Sequence, residues 1–438
     1  MAFPISGGSA AKVGMVDGAD SQVVKRTLDF EEEDLEVVRS GCIVEPSLQG
    51  ALLACSDAPI AGRVYWEAFF VVVPIFSGYA ALFGLQHEIK VRFEIHDNSS
   101  SASHDFSFAC SFLYIFNFIF RFAHNIVFGC MGARGRTFVA MGSMVAAMLV
   151  IAVLIMLLES YHMGWVILAY CLGGMSIGSF ESNFLSCLTP FGHRSKHLAI
   201  TGIPVGISLL LVGGFFVMGA PLQVPATALY FAVAVGACCG MIVIAVRFPN
   251  LTNGAAVDRI AQPGFRKFRG DVKQFRRWLP QLWTYPVATM IDMFVISAGS
   301  PGVALYIYDK ATVTLAQGWV LQTTSFFAIF NVCNMLGGLT GRWLSYRVHP
   351  RHPVLYTVFS AVGVVLLLVK VPLLAFPSTF LVMLGDGLIY GSISRHIDTN
   401  IPQEFNLVAL SFWLFVGDIG SVTGSNLISY IRDWVVGN

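Results

Sequence analysis

Residues 137–158 read TFVAMGSMVAAMLVIAVLIMLL, 22 consecutive positions without a charged side chain. As a helix rising ~1.5 Å per residue the run covers roughly 33 Å, enough to cross the ~30 Å hydrocarbon core of a bilayer. It is preceded by Arg134 and Arg136 and followed by Glu159, so charge is confined to its ends. Similar apolar stretches lie near 64–86, 106–129, 165–190, 198–219, 227–247, 279–299, 318–338, 354–375, 377–396 and 406–431. Eleven spans are therefore expected.

The composition agrees. Of 438 residues, 55% are hydrophobic and 12% charged, about half the charged share of an average soluble domain, and the mean hydropathy is +0.69. These values exclude an ordinary soluble protein and imply an all-α polytopic membrane protein. The net charge of +1 gives no reason to expect a nucleic-acid partner. The nine cysteines are scattered with no C-x-x-C spacing, so they read as small packing residues with no metal site or disulfide framework. No basic n-region followed by an apolar run opens the chain, so the first span is expected to act as the targeting signal.

Basic residues accumulate on the cytosolic side of a membrane, and here they alternate. Residues 1–63 carry Lys12, Lys25, Arg26, Arg39 and Arg63, the second connection Arg134 and Arg136, and the fourth Arg194 and Lys196. The sixth connection runs from Arg259 to Arg277 with seven basic residues, and the eighth holds Arg342, Arg347 and Arg351. The connections between these are nearly free of them, so the N-terminus is expected in the cytosol and the C-terminus outside or in a lumen. The expected organisation is a disordered cytosolic tail (1–63), a six-helix bundle (64–247), a basic cytosolic loop (248–278) and a five-helix bundle (279–438). The loop interleaves aromatics with charge, as in Gly264-Phe265-Arg266-Lys267-Phe268-Arg269, which suits the anionic inner leaflet. The sequon at Asn98 falls in the first outer loop and the one at Asn250 on the cytosolic side. Glycosylation is thus expected at Asn98 alone. A glycosidase-sensitive mass shift that disappears in Asn98→Gln checks it, and a shift that survives overturns the orientation.

Charged residues at membrane depth cost at least ~2.5–3.5 kcal/mol each and should face protein or water. They are Glu67, Arg121, Glu181, Asp292, Lys370, Asp386 and Asp418. Asn117, Arg121, His124 and Asn125 follow i, i+4, i+7, i+8 spacing and share one helix face. Counted from the expected segment ends, Arg121 and Glu181 lie at nearly equal depth, so an ion pair between the second and fourth spans is expected. Such a pair either couples protonation or solute binding to movement or holds the two helices together; the sequence leaves both open. Lys370, near the outer end of its span, can reach the headgroups. Pro204 is expected to break the fifth span and act as a gate or hinge. A weak internal echo joins Phe120, Asn125 and Gly132 through Arg136 to Phe330, Asn334 and Gly338 through Arg342, as expected of a repeated bundle. There is no P-loop, Gly-x-Ser-x-Gly elbow, His-Glu-x-x-His or redox signature, so neither enzymatic activity nor a cofactor or metal is expected.

The segment Phe330-Asn331-Val332-Cys333-Asn334 leading to Gly341-Arg342 resembles the Phe-Asn-x-x-Asp and Gly-Arg motif of the equilibrative nucleoside transporters. The six-plus-five split and the long loop after the sixth span are similar to that family as well. The resemblance implies solute-binding or gating roles for Asn334 and Arg342, with Asn334 standing where the family has an acid. Glu181, Phe184-Leu185-Ser186 and Leu188-Thr189, together with Glu404-Phe405, Ala409 and Asp418-Ile419-Gly420, resemble the battenin-like lysosomal branch. Both resemblances imply a major-facilitator-like fold, in which spans 1, 4, 7 and 10 line a central cavity; Glu67, Glu181, Asp292 and Asp386 fall in those spans.

The expected function is alternating-access transport of a small polar solute, a nucleoside or nucleobase first. Another organic solute such as an amino or organic acid, or a non-transporting battenin-like endolysosomal component, are the alternatives. Candidate binding or coupling residues are Arg121, Glu181, Asn331, Asn334, Asp386 and Asp418, with Arg342 and Pro204 as gating residues. Proton coupling through Glu181 or Asp386, a bilayer environment at the plasma or endolysosomal membrane, and no cofactor or metal complete the expectation. Oligomeric state is left open.

Overall fold

The computed structural model describes residues 64–95, 101–191, 193–219, 222–247, 265–299, 304–308, 312–316, 318–348 and 352–436. The expected tail (1–63) and the Asn98 sequon lie outside them. Helices dominate: α1 (Glu67–Gly84), α2 (Gln86–Arg92), α3 (Ser101–Val127), α4 (Ala133–Leu149), α5 (Met163–Leu188), α6 (His193–Ser208), α7 (Gly214–Met218), α8 (Ala226–Arg247), α9 (Phe265–Lys273) and α10 (Phe275–Leu282). After these come α11 (Thr284–Ala298), α12 (Ala304–Ile307), a hairpin of β1 (Thr312–Ala316) and β2 (Trp319–Gln322), α13 (Thr323–Arg347), α14 (Thr357–Leu368), α15 (Pro372–Asn400) and α16 (Asn406–Val436).

Among the described residues eight helical stretches are long and apolar enough to cross a bilayer: α1, α3, Ala133–Leu157, α5, Arg194–Met218, α8, α15 and Asn406–Leu427. Thr284–Ala298 and Pro353–Leu368 are apolar but shorter. This is an integral, multi-pass membrane protein. Helix α13 coincides with the expected span 318–338, but Gly318–Gln322 belongs to the hairpin turn and β2, and the helix starts only at Thr323. The boundary near 376 also moves. Helix α14 ends at Leu368, Lys370 adopts φ 59° in the exposed break, and Pro372 opens α15 at its first turn, where the missing N–H costs nothing.

Pairing among the helices repeats. Helix α3 packs on α5 and α13 on α15; α1 packs on α6 and α11 on α16; α4 packs on α5 and α14 on α15. Each second pair is the first displaced by six spans, the geometry behind the sequence echo. Small residues set the approach. A Cβ on Gly174 or Gly178 of α5 would run into the α3 backbone at Leu113 and Asn117, and one on Gly341 of α13 would run into Leu384 O and lie 2.9 Å from Gly387 Cα of α15. The contact leaves no flexible neighbour to yield. Gly341→Val is expected to destabilise the chain by about 1–3 kcal/mol or more through overpacking, read as a lower melting temperature in detergent; a wild-type melting curve would contradict this.

Helix α5 is enclosed: every residue from Ser176 to Leu188 is buried. By contrast Val354, Leu355, Val358, Val362 and Val365 stand exposed on and before α14, as required of a face that meets lipid. Pro204 lies inside α6, which continues through it. The expected break at Pro204 is therefore replaced by a π-helical turn at Leu209–Gly213, which shifts the hydrogen-bond register just past the proline. The basic connection is partly helical, with Phe268 and Trp278 of α9 and α10 buried and Trp278 Nε1 donating to Asp271 O at 3.1 Å. Phe268 packs on Phe122 of α3 and Trp278 on Phe412 of α16, while Val272 and Phe275 stay exposed.

Candidate functional site

Helix α3 carries the polar stripe and brings Arg121 to the centre of a three-residue cluster. Arg121 Nη1 donates to Glu181 Oε2 of α5 at 2.6 Å, and Arg121 Nε donates to Asp418 Oδ2 of α16 at 2.7 Å. Asn117 Nδ2, one turn earlier, donates to the same Asp418 oxygen at 3.1 Å. Side-chain exposure is 6% for Arg121, 6% for Glu181 and 14% for Asp418. The expected Arg121 to Glu181 pair forms, but the guanidinium is shared with Asp418, a residue almost 300 positions away. Two forked donors between two carboxylates exploit the fixed planar geometry of arginine, which lysine lacks.

A second cluster sits on α13, α15, α11 and α14. Arg342 Nη2 lies 3.4 Å from Asp386 Oδ2, Arg342 Nη1 donates to Ile200 O of α6 at 3.2 Å, and its guanidinium carbon is 4.9 Å from the centre of the Tyr390 ring. Ser360 of α14 donates to Asp292 Oδ1, while Asp292 Oδ2 and Arg342 Nε are buried without a hydrogen-bond partner among the described residues. Across both clusters two guanidiniums, Arg121 and Arg342, face four carboxyl groups, Glu181, Asp418, Asp386 and Asp292. Asn331 and Asn334 are half-buried on α13, outside both clusters. Pro204 is buried against Gly338 of α13.

Three sets of contacts escape a sequence reading. Lys196 of α6 is fully buried and ion-paired with Asp398 of α15, whose Oδ1 also accepts from Asn406 Nδ2 at 3.4 Å. The same Asn406 nitrogen lies 3.4 Å from Thr189 Oγ1, and the His197 and Tyr346 rings meet at a tilt of 51° with centroids 3.9 Å apart. Lys196 reads in the sequence as a loop charge; only the long-range pairing reveals otherwise. Arg136, likewise counted as a flanking charge, is fully buried and donates to Phe128 O, Met131 O and, at 2.6 Å, Asn125 Oδ1. His124 completes that set, bonded at its two ring nitrogens to Ser182 at 3.1 Å and Asn183 at 3.1 Å.

Polar links between α1–α8 and α9–α16 begin at mid-helix with Arg121 and Asp418. They continue through Arg342 and Ile200 to Lys196 and Asp398, at the start of α6 and the end of α15. These polar links between the two sets of helices therefore gather toward one end.

The chain shares its fold with solved membrane transporters, among them FucP, which is described as a major facilitator superfamily transporter. A peptide transporter, POT, solved as a variant with alafosfalin, superposes with a TM-score of 0.56 over 86% of this chain and 91% of its own, at 15% identity. The fucose:proton symporter FucP of E. coli gives 0.54 over 86% and 94%, at 15% identity, and the xylose transporter XylE of E. coli gives 0.56 over 85% and 93%, at 12% identity. Identities this low establish the shared fold and leave activity to be argued from the site. No family model matches the sequence. No curated protein matches it either.

Proposed function

We propose that this chain is a secondary transporter that moves a small polar solute by alternating access, with a nucleoside or nucleobase as its substrate. The observation that carries the reading is the shared Arg121. One guanidinium ties α3 and α5 to α16 at membrane depth, so exchanging its partners rearranges the contact between the six-helix bundle (64–247) and the five-helix bundle (279–438). A merely structural pair has no need of a third helix from the other bundle. Support comes also from the proteins sharing the fold, which transport a peptide, fucose with a proton, and xylose.

The charge balance supports proton coupling. Two arginines against four carboxyls leave an excess of negative charge where an unpaired ion costs at least ~2.5–3.5 kcal/mol. Asp292 and Asp386 are the groups assigned to take up the proton, Asp292 because Ser360 engages only one of its oxygens. Glu181 and Asp418 answer to Arg121, with Arg342 and Pro204 as gating elements. Asn331 and Asn334 supply amide donors and acceptors of the kind a base or ribose needs, and the resemblance of their helix to the nucleoside transporters favours that class. The alternation of basic connections favours a cytosolic N-terminus.

Uptake of labelled adenosine, uridine, hypoxanthine, a basic amino acid and lactate into proteoliposomes tests this, with Glu181→Gln and Asp386→Asn alongside. Saturable nucleoside or nucleobase uptake that is lost in both variants is the expected result. Amino-acid or lactate uptake instead would keep transport and overturn the substrate. No flux from well-folded protein would overturn transport itself.

A further inference from the structure

A groove of about 860 Å³ runs along the outside of the first helices, walled by α1, α8 and the segment Leu209–Val217. It exists because side chains are missing where the helices would otherwise close: Gly213, Gly214 and Gly236 line it, and a Cβ on Gly213 would find nothing nearer than Leu209 Cδ1 at 3.8 Å. The π-helical turn at Leu209–Gly213 displaces this wall further. The lining is almost wholly apolar. Ser77, midway, has its hydroxyl committed to Val73 O and Gly206 O.

Polarity returns at one end, where α1 begins and α8 finishes, with Trp66, Glu67 and Arg247 in the lining. Trp66 is 57% exposed, and Arg247 is exposed with no hydrogen bond or ion pair among the described residues. Arg134 adds a second guanidinium, lying 3.4 Å from Ile244 O and Ala245 O in the last turn of α8. From Glu67 to Ser77 the α1 wall extends ~15 Å, half the ~30 Å hydrocarbon core and so the depth of one leaflet. An apolar recess at that depth, left empty, forfeits the dispersion contacts of its whole lining.

We propose that this groove is a binding site for a glycerophospholipid of the bilayer. One acyl chain lies between α1, α8 and Leu209–Val217, the phosphate rests on Arg247, and the Trp66 indole sits at the level of the esters. Glu67 bounds the mouth and limits it to a single headgroup phosphate. Neither Arg121 nor Arg342 lines the groove.

Reconstitution into phosphatidylcholine vesicles doped with phosphatidylcholine carrying a tail diazirine tests it by photolabelling and peptide mapping. Labelling is expected to concentrate on Leu209–Met218 and Leu229–Arg247 over the exposed face of α14. Ala232→Phe and Gly213→Phe fill the groove and should lower groove labelling about tenfold, the effect of losing roughly two methylenes of burial. Val235→Phe, on an exposed face outside the groove, should leave labelling unchanged, and Arg247→Gln should reduce it toward the α14 level. Arg247 is exposed, so that variant tests the site even where a groove-filling one elutes as aggregate. Equal labelling of groove and α14, undiminished labelling in folded groove-filling variants or in Arg247→Gln, or preferential capture of a diazirine sterol would each overturn the proposal.

Discussion

Arg121→Ala is expected to abolish uptake and to lower stability more than any other single replacement at membrane depth. Removing one partner of a buried ion pair costs about 3–5 kcal/mol because the other charge is left uncompensated. Here two carboxylates, Glu181 and Asp418, are left facing each other with Asn117 as the remaining donor. Thermal unfolding in detergent and proteoliposome uptake separate the two effects. Arg121→Gln combined with Glu181→Gln and Asp418→Asn removes all three charges and should regain most of the stability while remaining inactive. Arg121→Lys should fold and transport poorly, since one ammonium does not reproduce the fork. Full activity in Arg121→Lys would show that only charge matters there, against the proposed exchange of partners.

The second large effect is expected at Lys196. Its ammonium, fully buried, holds Asp398 at the end where the polar links between the two sets of helices gather, and Lys196→Gln takes that ammonium away from a carboxylate that keeps its bond from Asn406. The joined arrangement should lose about 3 kcal/mol, roughly a hundredfold in the ratio of joined to parted molecules. Spin labels at the exposed positions Arg194 and Thr399 would report a longer distance component in the variant. The exchange Lys196→Asp with Asp398→Lys should return the short distance. An unchanged distribution in Lys196→Gln would mean that the His197–Tyr346 ring contact and the Arg342–Ile200 bond suffice to hold this end together.

Much of this architecture is legible in the sequence because the bilayer simplifies the problem. A run such as 137–158 has one stable solution in hydrocarbon, and Gly341 beside Gly387 announces a close crossing once the helices are paired. Near-equal depth and opposite charge suggest the Arg121–Glu181 pair; the third partner, Asp418, escapes because depth says nothing about which of the helices at a given level are neighbours. Lys196 and Arg136 mislead for a related reason: counted along the chain they flank spans, yet each extra turn of helix carries a loop residue into the packed interior. The shortness of β2 explains the early start assigned to the eighth span, since Trp319, Val320 and Leu321 are as apolar as the helix they precede.

That hairpin offers a practical handle. Thr312–Ala316 and Trp319–Gln322 form an antiparallel ladder, with Trp319 72% exposed and Gly318 turning at φ 83° with open space where a side chain would be. A short epitope inserted at Gly318 enters the chain where a side chain would meet open space, so the transmembrane helices should keep their register. Antibody staining of intact versus permeabilised cells would then read sidedness from the second half of the chain, independently of any sugar attached in the first.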